Sequence, residues 1–162
     1  LIGTLVRGTT ETTVFRPFFA DSREYEGVIL REFFDWAESL ADANFYHWHH
    51  YERTNLARMT KHYGLNPHQV SDVMDRFVDL SPITTGAFAF PANGEGLKDI
   101  ARCLGFFWRQ DDVNALNSMA LYDTFVDSGG VDADSKNKIL IYNEDDCRAT
   151  MHVYDWLLSQ QG

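Results

Sequence analysis

The sequence is poor in cysteine and has no long apolar run. Its 162 residues include two cysteines, Cys103 and Cys147, which lie far apart and form no Cys-x-x-Cys pair. We therefore expect reduced thiols and a cytoplasmic protein rather than a disulfide scaffold. No apolar stretch approaches the roughly 20 residues that cross a bilayer, so the sequence gives no sign of a membrane span.

Basic residues are also scarce. The chain carries 14 Lys and Arg against 24 Asp and Glu, for a formal net charge of −10. Nonspecific nucleic-acid binding needs a dense basic face, so this balance argues against a coat protein for DNA or RNA. It remains compatible with a metal-dependent nuclease, because bound cations reverse the local field of the carboxylates that hold them.

Aromatic side chains, in contrast, are abundant. Twelve Phe, seven Tyr and four Trp in a chain that is 44% hydrophobic predict a folded protein with a real core. The length fits one domain, and neither an internal repeat nor a linker-like composition divides it. We expect a single domain over residues 1–162.

The order of apolar periodicities predicts an α/β fold. Residues 1–7 and 12–20 read as a hairpin with turn chemistry at 8–11, and residues 44–48 read as a short strand followed by a tight turn. Residues 70–80 read as a helix that runs into an extended piece, and residues 81–96, rich in Gly and Pro, read as a loop. Helices are predicted at 27–41, 51–63, 97–104, 118–126 and 132–160.

The acidic stretch near the C-terminus is the first candidate for chemistry. Tyr142 and Asp146 stand four residues apart, so a phenol and a carboxylate share one helix face. Taken alone, the stretch also fits a solvated acidic face. Asp145 is the alternative ligand, although the four-residue step favours Asp146.

The second candidate lies at the predicted junction of strand and helix, where open α/β sheets place ligand sites. Glu52 falls in a first helical turn, where it could also serve only as a charge that complements the helix dipole. His47, His49 and His50 leave a zinc site open as a weaker alternative. No Cys pair and no His-Glu-x-x-His motif accompanies them.

Together the two stretches resemble the DEDDy branch of 3′–5′ exonucleases, which have a ribonuclease-H-like fold. Tyr142 and Asp146 match the Tyr-x-x-x-Asp of the third motif, and the run 47–52 resembles the second motif with His47 for Asn and Glu52 for Asp. With segments at 78–80 and 96–98, the chain is similar over nearly its whole length to the predicted ribonuclease-H-like nuclease domain attached to RecB-family nuclease or helicase modules in bacteria.

This resemblance implies a mixed sheet flanked by helices and a two-metal site for Mg²⁺ or Mn²⁺. Glu52 and Asp146 would be ligands, and Tyr142 would orient the attacking water. His47, His49 and Lys98 are candidates to contact substrate, which would be a single-stranded or frayed DNA or RNA 3′ end. A RecB-like nuclease or helicase domain would be fused to the chain or associated with it.

One motif of that family is missing. No Asp-x-Glu occurs between Leu1 and Gly162, so two of the four family carboxylates are absent, and we expect the first strand of the fold to lie outside the sequence. We expect the chain to be a fragment whose parent carries Asp-x-Glu within roughly 10–20 residues upstream, and we expect little or no activity from the chain alone. The alternative is a catalytically inactive nucleic-acid-binding or docking module with the same fold.

Three smaller candidates have ordinary structural explanations. Lys98 could touch a phosphate or be a surface lysine, and Asp79 could lie at a catalytic edge or cap a turn. The aromatic run 106–108 could stack bases, but in so aromatic a chain most of it is expected in the core.

Overall fold

A computed structural model describes residues 1–8, 12–40, 42–110 and 115–160, the last range without the side chains of residues 115 and 116. Within these ranges it has four strands and seven α-helices, so the chain is mixed α/β as predicted. The strands are β1 (Ile2–Arg7), β2 (Thr13–Phe18), β3 (Phe45–His47) and β4 (Phe77–Asp79). The helices are α1 (Glu26–Ser39), α2 (Tyr51–His62), α3 (Pro67–Met74), α4 (Leu80–Ala87), α5 (Leu97–Cys103), α6 (Ala115–Asp127) and α7 (Ala133–Ser159).

The chain forms two compact units. The first comprises Leu1–Ile29 and Trp108–Arg148, and the second comprises Leu30–Phe107 and Ala149–Gly162. The strands described form two sheets of two strands each, smaller than the mixed sheet that the resemblance implies. The single domain over residues 1–162 stays a prediction.

The first unit opens with the predicted hairpin. β1 and β2 pair antiparallel, with Ile2 opposite Phe18 and Arg7 opposite Thr13. β-branched residues at alternate positions favour this extended pairing, and Pro17, which has no N–H to donate, suits a two-stranded ribbon with free edges. Residues 9–11 of the turn predicted at 8–11 lie outside the described residues.

The strand β1 approaches the long helix α7 very closely at Gly3. A Cβ built there would lie 1.6 Å from Oδ1 of Asn143, so a larger residue would require the Asn143 side chain to move. Asn143 directly follows Tyr142 in the chain. The absence of a side chain at Gly3 therefore lets the hairpin lie against the acidic stretch of α7.

Aromatic packing closes the core of the first unit. Phe19 meets the rings of Tyr122 and Phe125 edge to face, at centroid distances of 5.9 and 5.4 Å. The ammonium of Lys136 lies 4.8 Å from the centroid of the Phe19 ring. Such pairs contribute about 0.5–1.5 kcal/mol beyond the area they bury, so they fix α6 and the start of α7 against the end of the hairpin.

The core of the second unit is built on α1. Its buried residues recur at three- to four-residue spacing, which confirms the predicted amphipathic helix. The helix ends at Ser39, and residue 41 of the predicted span lies outside the described residues. The buried side chains of α1 in this unit are Leu30, Phe33, Phe34 and Ala37.

Next to α1, β3 and β4 form a parallel pair. Phe45 is opposite Phe77 and His47 is opposite Asp79, and the rings of Phe45 and Phe77 stack at 5.3 Å. Parallel strands need a crossover connection, which α2 and α3 supply here. Both strands end at the same edge of the sheet, and there α2 and α4 begin.

Arg76 joins the end of α1 to the start of β3. Its guanidinium donates hydrogen bonds to the carbonyls of Ala37, Leu40 and Ala43 and lies 5.1 Å from the centroid of the Phe45 ring. The last carbonyls of a helix have no partner within the helix. One arginine therefore satisfies the end of α1 and packs on the strand that follows.

The loop predicted at 81–96 is wrong in its first part, because Leu80–Ala87 is the helix α4. Asp79 caps it by accepting a hydrogen bond from the Ser81 amide, and Thr84 donates its hydroxyl to the Leu80 carbonyl. Pro82 lies in the first turn, where a missing N–H costs nothing. Residues 88–96 have no helix or strand, as predicted.

The remaining helices follow the predicted periodicities. α2, α5, α6 and α7 lie at or within a few residues of 51–63, 97–104, 118–126 and 132–160, and α3 with β4 accounts for 70–80. Gly105 and Gly129 adopt φ values of 86° and 74° after α5 and α6, which are helix-ending conformations that favour glycine. None of the helices described is long and apolar enough to cross a membrane.

Candidate functional site

The first unit brings Tyr142 and Asp146 together on α7. They lie one helical turn apart, and the phenol donates a hydrogen bond to the carboxylate, so the predicted neighbourhood is confirmed. Burial, then the negative charge of Asp146, then this hydrogen bond raise the pKa of Tyr142 to about 12. At neutral pH the phenol keeps its proton, so it can donate a hydrogen bond but cannot act as a general base.

A second donor reaches Asp146 from outside the helix. The indole Nε1 of Trp108 donates to Oδ1 of Asp146 over 2.8 Å. Trp108 is 5% exposed, so its ring is part of the core of the first unit, but Phe107 is 73% exposed and Phe106 is half-buried, so the expectation that most of the run 106–108 lies in the core is wrong for Phe107. A buried indole N–H needs a partner, and the carboxylate of Asp146 is that partner.

The acids next to Asp146 belong to a different arrangement. Asp145 is 2% exposed and accepts hydrogen bonds from the backbone N and from Nε of Arg109, at 2.8 and 2.7 Å. Glu144 accepts from Nη2 of Arg109 at 2.8 Å and from Arg148 at 2.7 Å. Two arginines therefore relieve the repulsion along this stretch, and a solvated acidic face is the wrong description of it.

The ionisation of Glu144 follows from these contacts. Its partial burial acts to raise the pKa, but hydrogen bonds and charge attraction from Arg109 and Arg148 outweigh burial and hold the pKa below its ordinary value. The hydrogen bond to Glu144, ahead of the contacts with Asp145, raises the pKa of Arg109. Since Asp145 is taken by the guanidinium, Asp146 is the better candidate for a cation ligand.

In the second unit, Glu52 lies in the first turn of α2, directly after the carboxyl end of β3. Its side chain is half exposed, and Oε2 lies 3.9 Å from Nδ1 of the buried His47. The same Nδ1 lies 2.6 Å from the carbonyl oxygen of His49. Because a carbonyl only accepts, we assign the ring proton of His47 to Nδ1.

His49 makes the turn between β3 and α2. Its φ of 62° is in the left-handed region, which a residue with a side chain adopts only when its surroundings require it. Its amide donates to Oδ1 of Asp79 over 2.9 Å, and its ring Nε2 lies 3.1 Å from the carbonyl oxygen of Glu95. Asp79 thus holds this corner and caps α4 with the same oxygen.

These contacts bear on the zinc alternative and on Lys98. The engaged ring nitrogens of His47 and His49 face carbonyl oxygens, and His50 is exposed at the start of α2. Over the residues described, no three His, Cys, Asp or Glu side chains are grouped so as to hold a metal ion, so zinc finds no support there. Lys98 lies half-buried in the first turn of α5, and its contact with a phosphate stays a prediction.

The predicted site residues therefore fall into two groups. Tyr142 and Asp146 belong to the first unit, while Glu52, His47, His49 and Lys98 belong to the second. The roles assigned to them stay predictions. Sequence reasoning missed Trp108 as a partner of Asp146 and Arg109 as the partner of Asp145. Nothing in the sequence pattern distinguishes Arg109 from the other arginines of the chain.

Comparison with known families agrees with the fold. A family model described as the RNase H superfamily matches residues 1–158. The matched range includes both units and every residue of the candidate site. No curated protein and no solved structure matches the sequence.

Proposed function

We propose, on the premise that this chain belongs to the RNase H superfamily, that it is the nuclease domain of a metal-dependent 3′–5′ exonuclease acting on single-stranded DNA or RNA ends. Membership supports a nuclease at the coarse level. The direction of attack and the two-metal chemistry come from the DEDDy resemblance of Tyr142 and Asp146. Association with a RecB-like nuclease or helicase domain is part of the same proposal.

The observation that carries the proposal is the arrangement around Asp146. Trp108 and Tyr142 are neutral donors, so they orient this carboxylate without cancelling its charge. The adjoining Asp145 and Glu144 are instead paired with Arg109. A carboxylate held by neutral groups is the kind of oxygen ligand that Mg²⁺ and Mn²⁺ take.

The residues fit such a cation in kind, since Asp146 and Glu52 both offer carboxylate oxygens. When bound, divalent metal would activate water and stabilise the leaving oxygen of the phosphodiester. Asp146 and Glu52 supply two carboxylates where the two-metal site that the resemblance implies needs four, and no three His, Cys, Asp or Glu side chains of the described residues are grouped so as to hold a metal ion. The proposal therefore requires an Asp-x-Glu pair from sequence upstream of Leu1.

The chain's own side chains would perform the supporting steps. Tyr142, protonated at neutral pH, would donate its one hydroxyl proton to Asp146 and would orient the attacking water by accepting a hydrogen bond from it. Glu52 would present its half-exposed carboxylate from the first turn of α2, fixed near His47. His49 and Lys98 would contact the substrate, and a basic partner domain would compensate for the acidic charge of this one.

The proposal is tested with the protein extended upstream, assayed on single-stranded oligonucleotides that carry a fluorophore at the 5′ end. We expect Mg²⁺ or Mn²⁺ to support stepwise shortening from the 3′ end. Because a metal supplies several kcal/mol and each 1.36 kcal/mol is tenfold in rate, Asp146→Asn should lower the rate by about 1,000-fold. Asp134→Asn, exposed on the same helix and paired with Lys138, is the matched control.

Two results would contradict the proposal. The first is an upstream sequence without Asp-x-Glu, and the second is metal-dependent hydrolysis that survives Asp146→Asn. If the extended protein binds the oligonucleotide but never shortens it, the inactive binding module becomes the better description. That alternative draws its support from the pairing of Glu144 and Asp145 with arginine, which engages two carboxylates of the acidic stretch in ion pairs.

A further inference from the structure

A short segment of the first unit is fastened to α7 at three consecutive acidic residues. Trp108 reaches Asp146, and Arg109 reaches both Asp145 and Glu144. The partners are separated by 35 to 38 positions in the sequence. Two neighbouring residues of one segment thus contact all three acidic residues of this stretch, which Arg148 and Tyr142 contact from α7 itself.

The two residues of this segment have different tasks. Arg109 anchors the backbone, because its own amide donates to Oδ2 of Asp145 while its Nε donates to Oδ1. Bidentate contact with a buried carboxylate fixes position as well as neutralising charge. With the backbone of residue 109 held in place, the indole of Trp108 is directed at Asp146.

An indole is well suited to orienting a carboxylate. Its Nε1 is a donor only, it carries no charge, and the bulk of the ring packs in the core. The 2.8 Å bond to Oδ1 fixes the rotation of the Asp146 carboxylate, and a carboxylate offers about four acceptor directions, so one bond from the indole does not exhaust it. Groups of this kind behind a metal ligand change metal affinity by about 10- to 100-fold.

We propose that Trp108 is a positioning residue: its indole N–H holds the Asp146 carboxylate in the orientation in which it binds a divalent cation. This inference rests on the proposed function, since it assigns Trp108 a task only if Asp146 is a ligand. It extends the site to a residue that belongs to none of the family motifs identified in the sequence.

The test measures Mn²⁺ affinity of the whole protein, including its upstream sequence, by isothermal titration calorimetry. Trp108→Phe keeps an aromatic ring and removes the donor, so the Kd for Mn²⁺ should rise by about 10- to 100-fold. Trp156→Phe is the control, because its ring contacts only Phe88 and Phe90 among the aromatic pairs described and lies in the second unit. Thermal unfolding of each variant shows whether the change is in stability instead.

A second variant tests the same proposal in case Trp108→Phe does not fold. Benzothienylalanine at position 108 has the shape of tryptophan with sulfur in place of the N–H, so it removes only the hydrogen bond. We expect it to weaken Mn²⁺ binding to the same degree. The indole resonance assigned to Trp108 should also shift in Asp146→Asn, which reports the hydrogen bond without any metal.

The outcomes separate the two proposals. If both position-108 variants bind Mn²⁺ as tightly as the wild type while Asp146→Asn does not, Trp108 is only structural and the proposed function stands. If the wild type and Asp146→Asn bind Mn²⁺ equally or not at all, Asp146 is not a ligand and both proposals fall. A weakened affinity at unchanged melting temperature supports the positioning role.

Discussion

The acidic stretch of α7 and the corner between β3 and α2 each carry one predicted ligand, and they surround it differently. On α7, Asp146 accepts hydrogen bonds from Trp108 and Tyr142 within a well-packed region. At the corner, Glu52 is half exposed and its Oε2 lies 3.9 Å from Nδ1 of His47. Rigidity at α7 comes from side chains, whereas at the corner it comes from the backbone around His49.

The comparison suggests where the tolerance to mutation lies. Around Asp146, the groups that hold the carboxylate are the side chains of Trp108, from a separate segment, and Tyr142, on α7 itself, so a single substitution removes one of them. At the corner, the backbone amides of His49 and Ser81 both donate hydrogen bonds to Asp79. The backbone conformation of His49 therefore contributes more to the stability of the corner than its imidazole ring does. Substitutions at the two places should therefore lower the free energy of unfolding by different amounts.

The largest effect is expected for Asp145→Ala. The change removes the acceptor of two Arg109 hydrogen bonds from a position that is 2% exposed. Breaking a buried ion pair costs about 3–5 kcal/mol, and because the Arg109 side chain is half exposed we expect the free energy of unfolding in urea to fall by about 2–3 kcal/mol. Asp134→Ala, which removes an exposed pair with Lys138, should cost less than about 0.5 kcal/mol. Equal losses in the two variants would show that Arg109 does not stabilise α7.

A smaller effect is expected at the corner. Asp79→Ala removes the cap of α4 and the acceptor for the His49 amide, which together are worth about 1–2 kcal/mol. Asp79→Asn keeps an oxygen acceptor and should retain most of that stability in the same urea experiment. If alanine and asparagine are equally destabilising, the contribution of Asp79 comes from its charge and not from these hydrogen bonds.

Alkaline titration examines the α7 side alone. Because the pKa of Tyr142 is raised to about 12, the phenol stays neutral in the folded state over a range in which it ionises in the unfolded chain. Its contribution to stability is complete below about pH 10 and is lost as pH rises towards about 12. Tyr142→Phe should lack this loss. In Asp146→Asn the tyrosinate absorbance should appear at lower pH, since the negative charge beside the phenol is gone while an oxygen acceptor is kept; an unchanged titration would contradict the contribution of that charge.

The smallest effect is expected for Arg148→Ala. Arg148 and Glu144 form an i, i+4 pair at 2.7 Å with the arginine partly exposed, so the free energy of unfolding should fall by only about 0.3–0.5 kcal/mol. The pKa of Glu144 should rise, because one of its two cationic donors is removed. A carboxylate whose pKa is lower in the folded state than in the unfolded state stabilises the fold above its unfolded pKa. This stabilisation is lost as pH falls through the folded-state pKa. The free energy of unfolding of the variant should therefore fall less steeply with pH between these two pKa values, which acid unfolding followed by circular dichroism measures.

Much of the fold was accessible from sequence because it depends on local patterns. The apolar period of α1, the hairpin alternation and the glycines after α5 and α6 each act within a few residues. The sequence does not predict the helix α4, because Gly and Pro are loop signals, and Asp79 is interpreted there as a residue of a catalytic edge or as the cap of a turn and not as the cap of a helix. Pro82 in a first turn is compatible with a helix, and composition alone does not show which turn a proline occupies.

The candidate site likewise has one part that local sequence patterns predict and another part that they do not. The pairing of Tyr142 with Asp146 follows from one helical turn and needs no tertiary information. The contacts of Trp108 and Arg109 with α7 span more than 30 positions, and no periodicity reports them. The left-handed conformation of His49 depends on Asp79, 30 positions away. Local spacing therefore predicts which residues face each other, and only the folded chain shows what holds them.

Arg76 has a consequence for the order in which the second unit folds. Its guanidinium bonds to carbonyls 33 to 39 positions earlier in the chain, so the end of α1 cannot be completed by local contacts alone. The chain between the end of α1 and Arg76 must close into a loop before these hydrogen bonds can form and stabilise the unit. We therefore expect the last turn of α1 and the entry to β4 to become stable together, once the chain between them has closed into a loop.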